Sequence, residues 1–174
     1  FGWNYNSLNR GYFPTKGVKA SLGGRVTIPG SDNKYYKLSA ELQGFYPLDR
    51  DHRWVLSGKA TAAYANGLSG KRVPFYQLYT AGGIGSLRGF AYGAVGPNAI
   101  YWQKDRNGKE GWIPNTDVIG GNAMATASVE LIVPTPFVSD KSQNNVRTSL
   151  FVDAASVWNT KWKSDKEGLP SSVL

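Results

Sequence analysis

The chain has no cysteine and a single histidine, His52. That scarcity excludes a disulfide framework, a thiolate zinc site and a Cys-His nucleophile pair. Nor is there a run of about 18 apolar residues, so no helix crosses a membrane. A transmembrane β-strand is not excluded, because it needs only about 9–11 residues and half of them face water. The mean hydropathy of -0.37 is what such alternation produces. A clustered basic run is also missing: Lys and Arg number 20 against 12 Asp and Glu, a formal net charge of +8, yet the cations are scattered. This argues against a nucleic-acid partner. Phe1 opens on no initiating Met, charged segment or apolar segment, so no signal peptide is legible and the chain reads as an internal piece of a longer secreted protein. What is present is 174 residues, about one domain, with 41% hydrophobic residues and 21 Gly.

Period-two alternation dominates those residues. From Val18 to Ile28 the even positions are Val18, Ala20, Leu22, Gly24, Val26 and Ile28, and the odd ones are Lys19, Ser21, Gly23, Arg25 and Thr27. One face is thus wholly polar. Tyr36 to Tyr46 repeats the pattern with Leu38, Ala40 and Leu42 opposite Lys37, Ser39, Glu41 and Gln43. Trp54 to Tyr64 repeats it again, setting Leu56, Ala60 and Ala62 against Ser57, Lys59 and Thr61. Polar turns at Gly30-Ser31-Asp32-Asn33 and Pro47-Leu48-Asp49-Arg50-Asp51 separate these runs. Alternation resumes from Ala123 to Val133 and from Val146 to Trp158, with the turn residues Pro134-Thr135-Pro136 and Ser139-Asp140-Lys141-Ser142 between. With Trp3 to Leu8 as a frayed first member, about six antiparallel strands are expected. Between roughly 66 and 121 the alternation stops, which predicts one long loop, ordered by its aromatic and glycine content.

The same alternation would serve a soluble β-sandwich, with the apolar face buried. Three details favour a face turned to lipid. Aromatics stand at strand ends (Tyr36, Tyr46, Trp54, Tyr64, Trp158), as an interfacial girdle requires. Many apolar positions are small (Ala60, Ala62, Ala125, Ala127) and would fill a soluble core poorly. The connections also read as alternately short and long, the asymmetry of an outer-membrane barrel.

Candidate chemistry concentrates in the long loop. Gly83 to Gly89 has the wrong glycine spacing for a dinucleotide fingerprint, and no helix pattern follows it. Ser86 lacks a nucleophile-elbow context, and His52 reads as a solvated turn residue, so no catalytic triad is assembled. Arg88 is different. Its guanidinium is a permanently charged fork of donors suited to carboxylates, and Glu130 and Asp153, on the polar faces of consecutive strands, point into one interior volume. Gly89 permits a tight turn beside it, and Phe90 is expected to anchor the tip against apolar residues.

Several motifs, taken together, carry a resemblance. Leu87-Arg88-Gly89-Phe90 is similar to the [VI]-R-G-F sequence of the outer-membrane β-barrel assembly proteins, with Leu at the first position. Asn6 to Gly17, containing Phe13-Pro14-Thr15 and Gly17, resembles that family's N-x-x-D-x-x-x-F-P-T-x-G periplasmic turn, with Asn9 where the pattern has Asp. Gly120-Gly121-Asn122-Ala123, Pro134-Thr135-Pro136-Phe137 and Phe151-Val152-Asp153 look like further family segments, so the likeness spans essentially the whole chain.

The resemblance implies an all-β fold: about six consecutive strands of a sixteen-stranded antiparallel transmembrane barrel in the bacterial outer membrane. The long loop would be extracellular, with Arg88, Gly89 and Phe90 as a latch whose lumen partners are Glu130 and Asp153. It implies a non-enzymatic activity without cofactor or metal: folding and inserting β-barrel clients into the outer membrane, whose lipid the wall would contact. Client- and lipoprotein-binding POTRA domains and the seam strands of the barrel fall outside this chain. A translocation pore of the two-partner-secretion or autotransporter-assembly type is the alternative.

Overall fold

The structure, a computed structural model, describes residues 1–28, 30, 32–70, 72–104, 108, 110–135 and 146–160. Among the described residues eight strands follow in order: β1 (Gly2–Asn6), β2 (Gly17–Val26), β3 (Tyr35–Pro47), β4 (Val55–Gly67), β5 (Asn98–Lys104), β6 (Glu110–Val118), β7 (Ala123–Val133) and β8 (Thr148–Trp158). Six form one antiparallel sheet in the order β1-β2-β3-β4-β7-β8, an open arc and not a closed barrel. The remaining pair, β5 and β6, make a separate ribbon inside the long loop. That ribbon is a correction to the sequence reading, which saw no alternation there. Of the expected turn segments between β7 and β8, Pro136, Phe137 and Ser139 to Ser142 lie outside the described residues, as does Ser31 between β2 and β3.

Register follows the alternation. Ala62 lies opposite Ala40 on β3 and Ala125 on β7, and Ala127 opposite Ala154 on β8, so the small apolar residues share one face. The larger residues of that face are uncovered: Leu42 is 53% exposed, Val129 55%, Leu150 68% and Val152 74%. A soluble sandwich would bury them, and among the described residues no second sheet packs there. Their environment is therefore lipid.

The packed core lies on the opposite, inner face. Val55, Ala63 and Ala65 of β4 and Ile132 of β7 are buried there, together with Ala81 and Leu87 of the long loop. These positions share parity with Ser57, Lys59 and Thr61, so the inner face is not uniformly polar, as the alternation alone suggests. The loop packs inward. One residue slipped in register would carry the inner set to the outside, which the burial on one face and lipid on the other forbids.

The connections do not alternate short and long. Segments 7–16, 48–54 and 134–147 lie at one end of the sheet, and 27–34 and 68–122 at the other. The stretch 134–147 is longer than 27–34, so only the size of 68–122 sets the two ends apart. That long loop is folded as narrowing antiparallel contacts, Tyr79 with Gly121, Ala81 with Val95 and Gly83 with Leu87, which carry the chain inward to a tip at residues 84–90. Gly82 suits the narrowing, because it holds φ at +125° and an added Cβ would collide with the Ala91 carbonyl oxygen. At the loop's base Asn122, which is buried, donates through Nδ2 to the Ala65 carbonyl at 3.0 Å, while Ala65 N–H donates to the Asn122 carbonyl at 2.7 Å.

Candidate functional site

Four inner-face side chains on β7 and β8 form a square, because Ser128 lies opposite Asp153 and Glu130 opposite Phe151. Pairing and parity alone bring two carboxylates, a hydroxyl and a ring into one patch. The loop tip lowers Arg88 onto it. Nε donates to Asp153 Oδ2 at 2.8 Å and Nη2 to Asp153 Oδ1 at 2.7 Å, a bidentate fork. Nη1 donates to Glu130 Oε2 at 2.9 Å, and Nη2 also donates to Ser128 Oγ at 2.8 Å. Ser128 in turn donates its hydroxyl proton to Asp153 Oδ1 at 2.6 Å, so it accepts from the cation and donates to the anion.

Two further contacts complete the seat. The backbone N–H of Arg88 donates to Asp153 Oδ2 at 3.0 Å, which fixes the loop's main chain as well as its side chain. The guanidinium lies 3.6 Å from the Phe151 ring centroid, and the aromatic face meets a cation whose edge donors are occupied. Only 5% of the Asp153 side chain is exposed, against 24% for Arg88 and 26% for Glu130. Hydrogen bonding to Asp153, then to Glu130, raises the Arg88 pKa above its already high ordinary value, which outweighs the opposing effect of burial. Arg88 thus keeps its charge at any physiological pH.

The arrangement brings together Arg88, Glu130 and Asp153. Gly89 follows with φ at +85°, a conformation that a side chain would strain. Phe90 does not act as the apolar anchor that its residue type suggested: it is 55% exposed, whereas Leu87 is 7% exposed and fills that place. Ser128 and Phe151 were missed as partners of Arg88. Their signal was available in parity, since Ser128 stands two residues before Glu130 and Phe151 two before Asp153.

The turn motif lies at the opposite end of the sheet. Asn9 Oδ1 accepts the backbone N–H groups of Thr15 and Lys16, each at 3.1 Å, which assigns its amide orientation, and Nδ2 donates to Thr15 Oγ1 at 2.8 Å. Thr15, only 6% exposed, is also 2.9 Å from His52 Nδ1, so His52 is not simply a solvated turn residue but ties segment 48–54 to segment 7–16. Phe13 takes a positive φ of 46° and lies 4.7 Å beneath the guanidinium of Arg147, which donates to the Pro14 carbonyl at 2.9 Å. Burial lowers the Arg147 pKa. Gly17, with φ at +114°, starts β2. Arg10, Phe13, Thr15, His52, Ile132 and Arg147 line a cavity of about 160 Å³ at this end. Among the described residues no cluster of His, Cys, Asp and Glu fits a metal ion.

The Arg88 site holds the loop tip on the inner wall through ionic hydrogen bonds.

Comparison with known proteins agrees with this geometry. Residues 1–172 match the Omp85 superfamily domain. The chain is 34% identical over 164 residues to the outer membrane protein assembly factor BamA of Neisseria meningitidis serogroup B, covering 94% of this chain and 19% of that protein. It superimposes with a TM-score of 0.88 on the crystal structure of BamA from Haemophilus ducreyi lacking POTRA domains 1–3, at 59% identity, over 97% of this chain and 32% of the other. The chain therefore spans a minor part of the relatives it matches. Its exposed apolar face, inward-folded loop and strand order are those of part of a transmembrane β-barrel wall in the outer membrane of a Gram-negative bacterium, and the chain belongs to the Omp85 superfamily.

Proposed function

We propose that this chain is the loop-anchoring part of the barrel of an outer-membrane protein assembly factor, one that promotes folding and insertion of β-barrel clients into the outer membrane without covalent chemistry. The observation that carries the reading is the seat of Arg88, in which a long loop sends one permanently charged side chain, and its own backbone N–H, onto carboxylates of the inner wall. Such a contact makes one loop position favourable while leaving it reversible. The relatives found are themselves assembly factors, and no observation favours an export pore. In this reading loop 68–122 is extracellular, Phe13, Pro14, Thr15 and Gly17 form a periplasmic turn, and Arg88 and Gly89 with Glu130 and Asp153 constitute the latch, followed by the exposed Phe90. Its partners are unfolded β-barrel clients, outer-membrane lipid and, through POTRA domains beyond this chain, the BAM lipoproteins. No cofactor takes part.

The test is Arg88→Ala in the complete protein, scored by the levels of many outer-membrane proteins together. An assembly factor predicts that several unrelated barrels fall together, with Arg88→Lys restoring part of the loss because an ammonium keeps the charge but not the fork. Normal levels throughout would overturn the reading, and loss of a single exported protein would favour a pore.

A further inference from the structure

Loop 68–122 meets the wall a second time, at β3. We propose that Lys37 is an independent anchor, a positioning residue that holds the base of the loop in place while the tip engages or releases β7 and β8. The proposal rests on the functional reading above, since it concerns how that loop is presented, but its structural part can be tested separately.

Lys37 projects from the inner face of β3, directly opposite Arg25 on β2 and Ala65 on β4. Like charges directly opposite one another are unfavourable in an antiparallel pair, and alanine offers no acceptor. The two residues directly opposite therefore offer the ammonium no side-chain acceptor. Among the described residues its partners come from the loop instead: Nζ donates to the Gln77 carbonyl at 2.8 Å and approaches Gln77 Oε1 at 3.4 Å, and it stands 4.4 Å from the Tyr79 ring centroid. Gln77 ends a single 3-10 turn, Phe75–Gln77, in which the Phe75 carbonyl accepts the Leu78 N–H and the Gln77 carbonyl accepts from Lys37. A cation placed there meets a need of the loop as well as its own. Beside it, Asn33 Nδ2 donates to the Tyr76 hydroxyl at 3.2 Å, so segment 27–34 reinforces the same contact.

The two anchors share no residue. Lys37 acts on Gln77 and Tyr79 from β3, whereas Arg88 acts from the tip on β7 and β8, with β4 between in the sheet. Between them in sequence run Gly82, Gly83 and Gly85. Loss of the Arg88 contact therefore leaves the loop tethered and aimed, ready to return to the same seat.

Hydrogen exchange of the complete protein in phosphatidylcholine vesicles tests this. Lys37→Gln should raise exchange of residues 75–79 about tenfold and leave 84–90 protected, because each segment opens with a free energy set by its own interactions. Arg88→Ala should do the reverse. Lys37→Arg should restore most of the protection at 75–79, since a guanidinium can still donate to the Gln77 carbonyl and face the Tyr79 ring, and Tyr79→Leu should give a smaller rise confined to 75–79. Unchanged exchange at 75–79 in Lys37→Gln, or joint opening of both segments in either Lys37→Gln or Arg88→Ala, would overturn the proposal. Separate opening of the segments with normal outer-membrane protein levels would uphold the anchor and sink the assembly reading.

Discussion

Val152 and Asp153 are neighbours on β8, yet one is 74% exposed and the side chain of the other 5% exposed. The contrast extends across the wall. On the outer face large apolar side chains stand uncovered, and on the inner face a carboxylate is enclosed by a guanidinium, a hydroxyl and a backbone N–H. In a water-soluble protein both would be costly. Here each is sound, because lipid is the solvent for one face and the loop supplies the counter-charge for the other. What the comparison teaches is that environment on this sheet is assigned by parity, one residue at a time.

The largest effect should come from placing a charge on the wrong parity. On β3, Leu42→Arg puts a cation on the lipid side near the middle of the strand and should destabilise the complete protein by about 2–4 kcal/mol, whereas Ser39→Arg, facing inward, should cost well under half of that. Denaturant unfolding in lipid vesicles decides it. Equal losses would break the distinction between the faces.

Next in size is the inner charge pair. Arg88→Ala should weaken docking of the loop by about 2–3 kcal/mol, the low end for a hydrogen-bonded buried pair because the guanidinium is partly exposed. Adding Asp153→Asn to that variant should do little further harm, since the carboxylate has already lost its partner. A double-mutant cycle read by protease sensitivity of the loop gives the coupling, and additive losses would show that the two residues act separately. Phe151→Leu keeps the apolar surface but removes the π-face under Arg88, and should cost about 1 kcal/mol in the same assay. An unchanged loop would mean that the ring contributes packing only.

The smallest change belongs to the opposite end of the sheet. His52 has a positive φ of 56°, which Asn tolerates, so His52→Asn preserves the turn and removes the ring's contact with Thr15. One hydrogen bond is involved, and the loss should be about 0.5 kcal/mol by equilibrium unfolding. A loss several times larger would place this contact on a par with the Arg88 seat.

Much of this was legible before any coordinates. Alternation located the five long strands β2, β3, β4, β7 and β8 to within a few residues, with Ala123–Val133 matching at both ends, and it assigned their side chains to faces, because a period of two is a local property of an extended chain. The length of the loop was evident from where the alternation stopped, whereas the ribbon β5–β6 within it was not, since its residues lack a polar and an apolar side. Arg88 with Glu130 and Asp153 was implied by resemblance and by shared parity.

By itself, then, the sequence determined the strands, their two faces and the residue types able to form an inner charge cluster, for these follow from local periodicity and side-chain chemistry. Only the tertiary structure decided that Leu87 and not Phe90 is buried at the tip, that Ser128 and Phe151 complete the seat, and that Lys37 and His52 reach across to other segments. Those contacts and the Arg88–Asp153 pair join residues 37 to 65 positions apart. Their formation depends on strand register and on the inward fold of the loop, which no local pattern encodes.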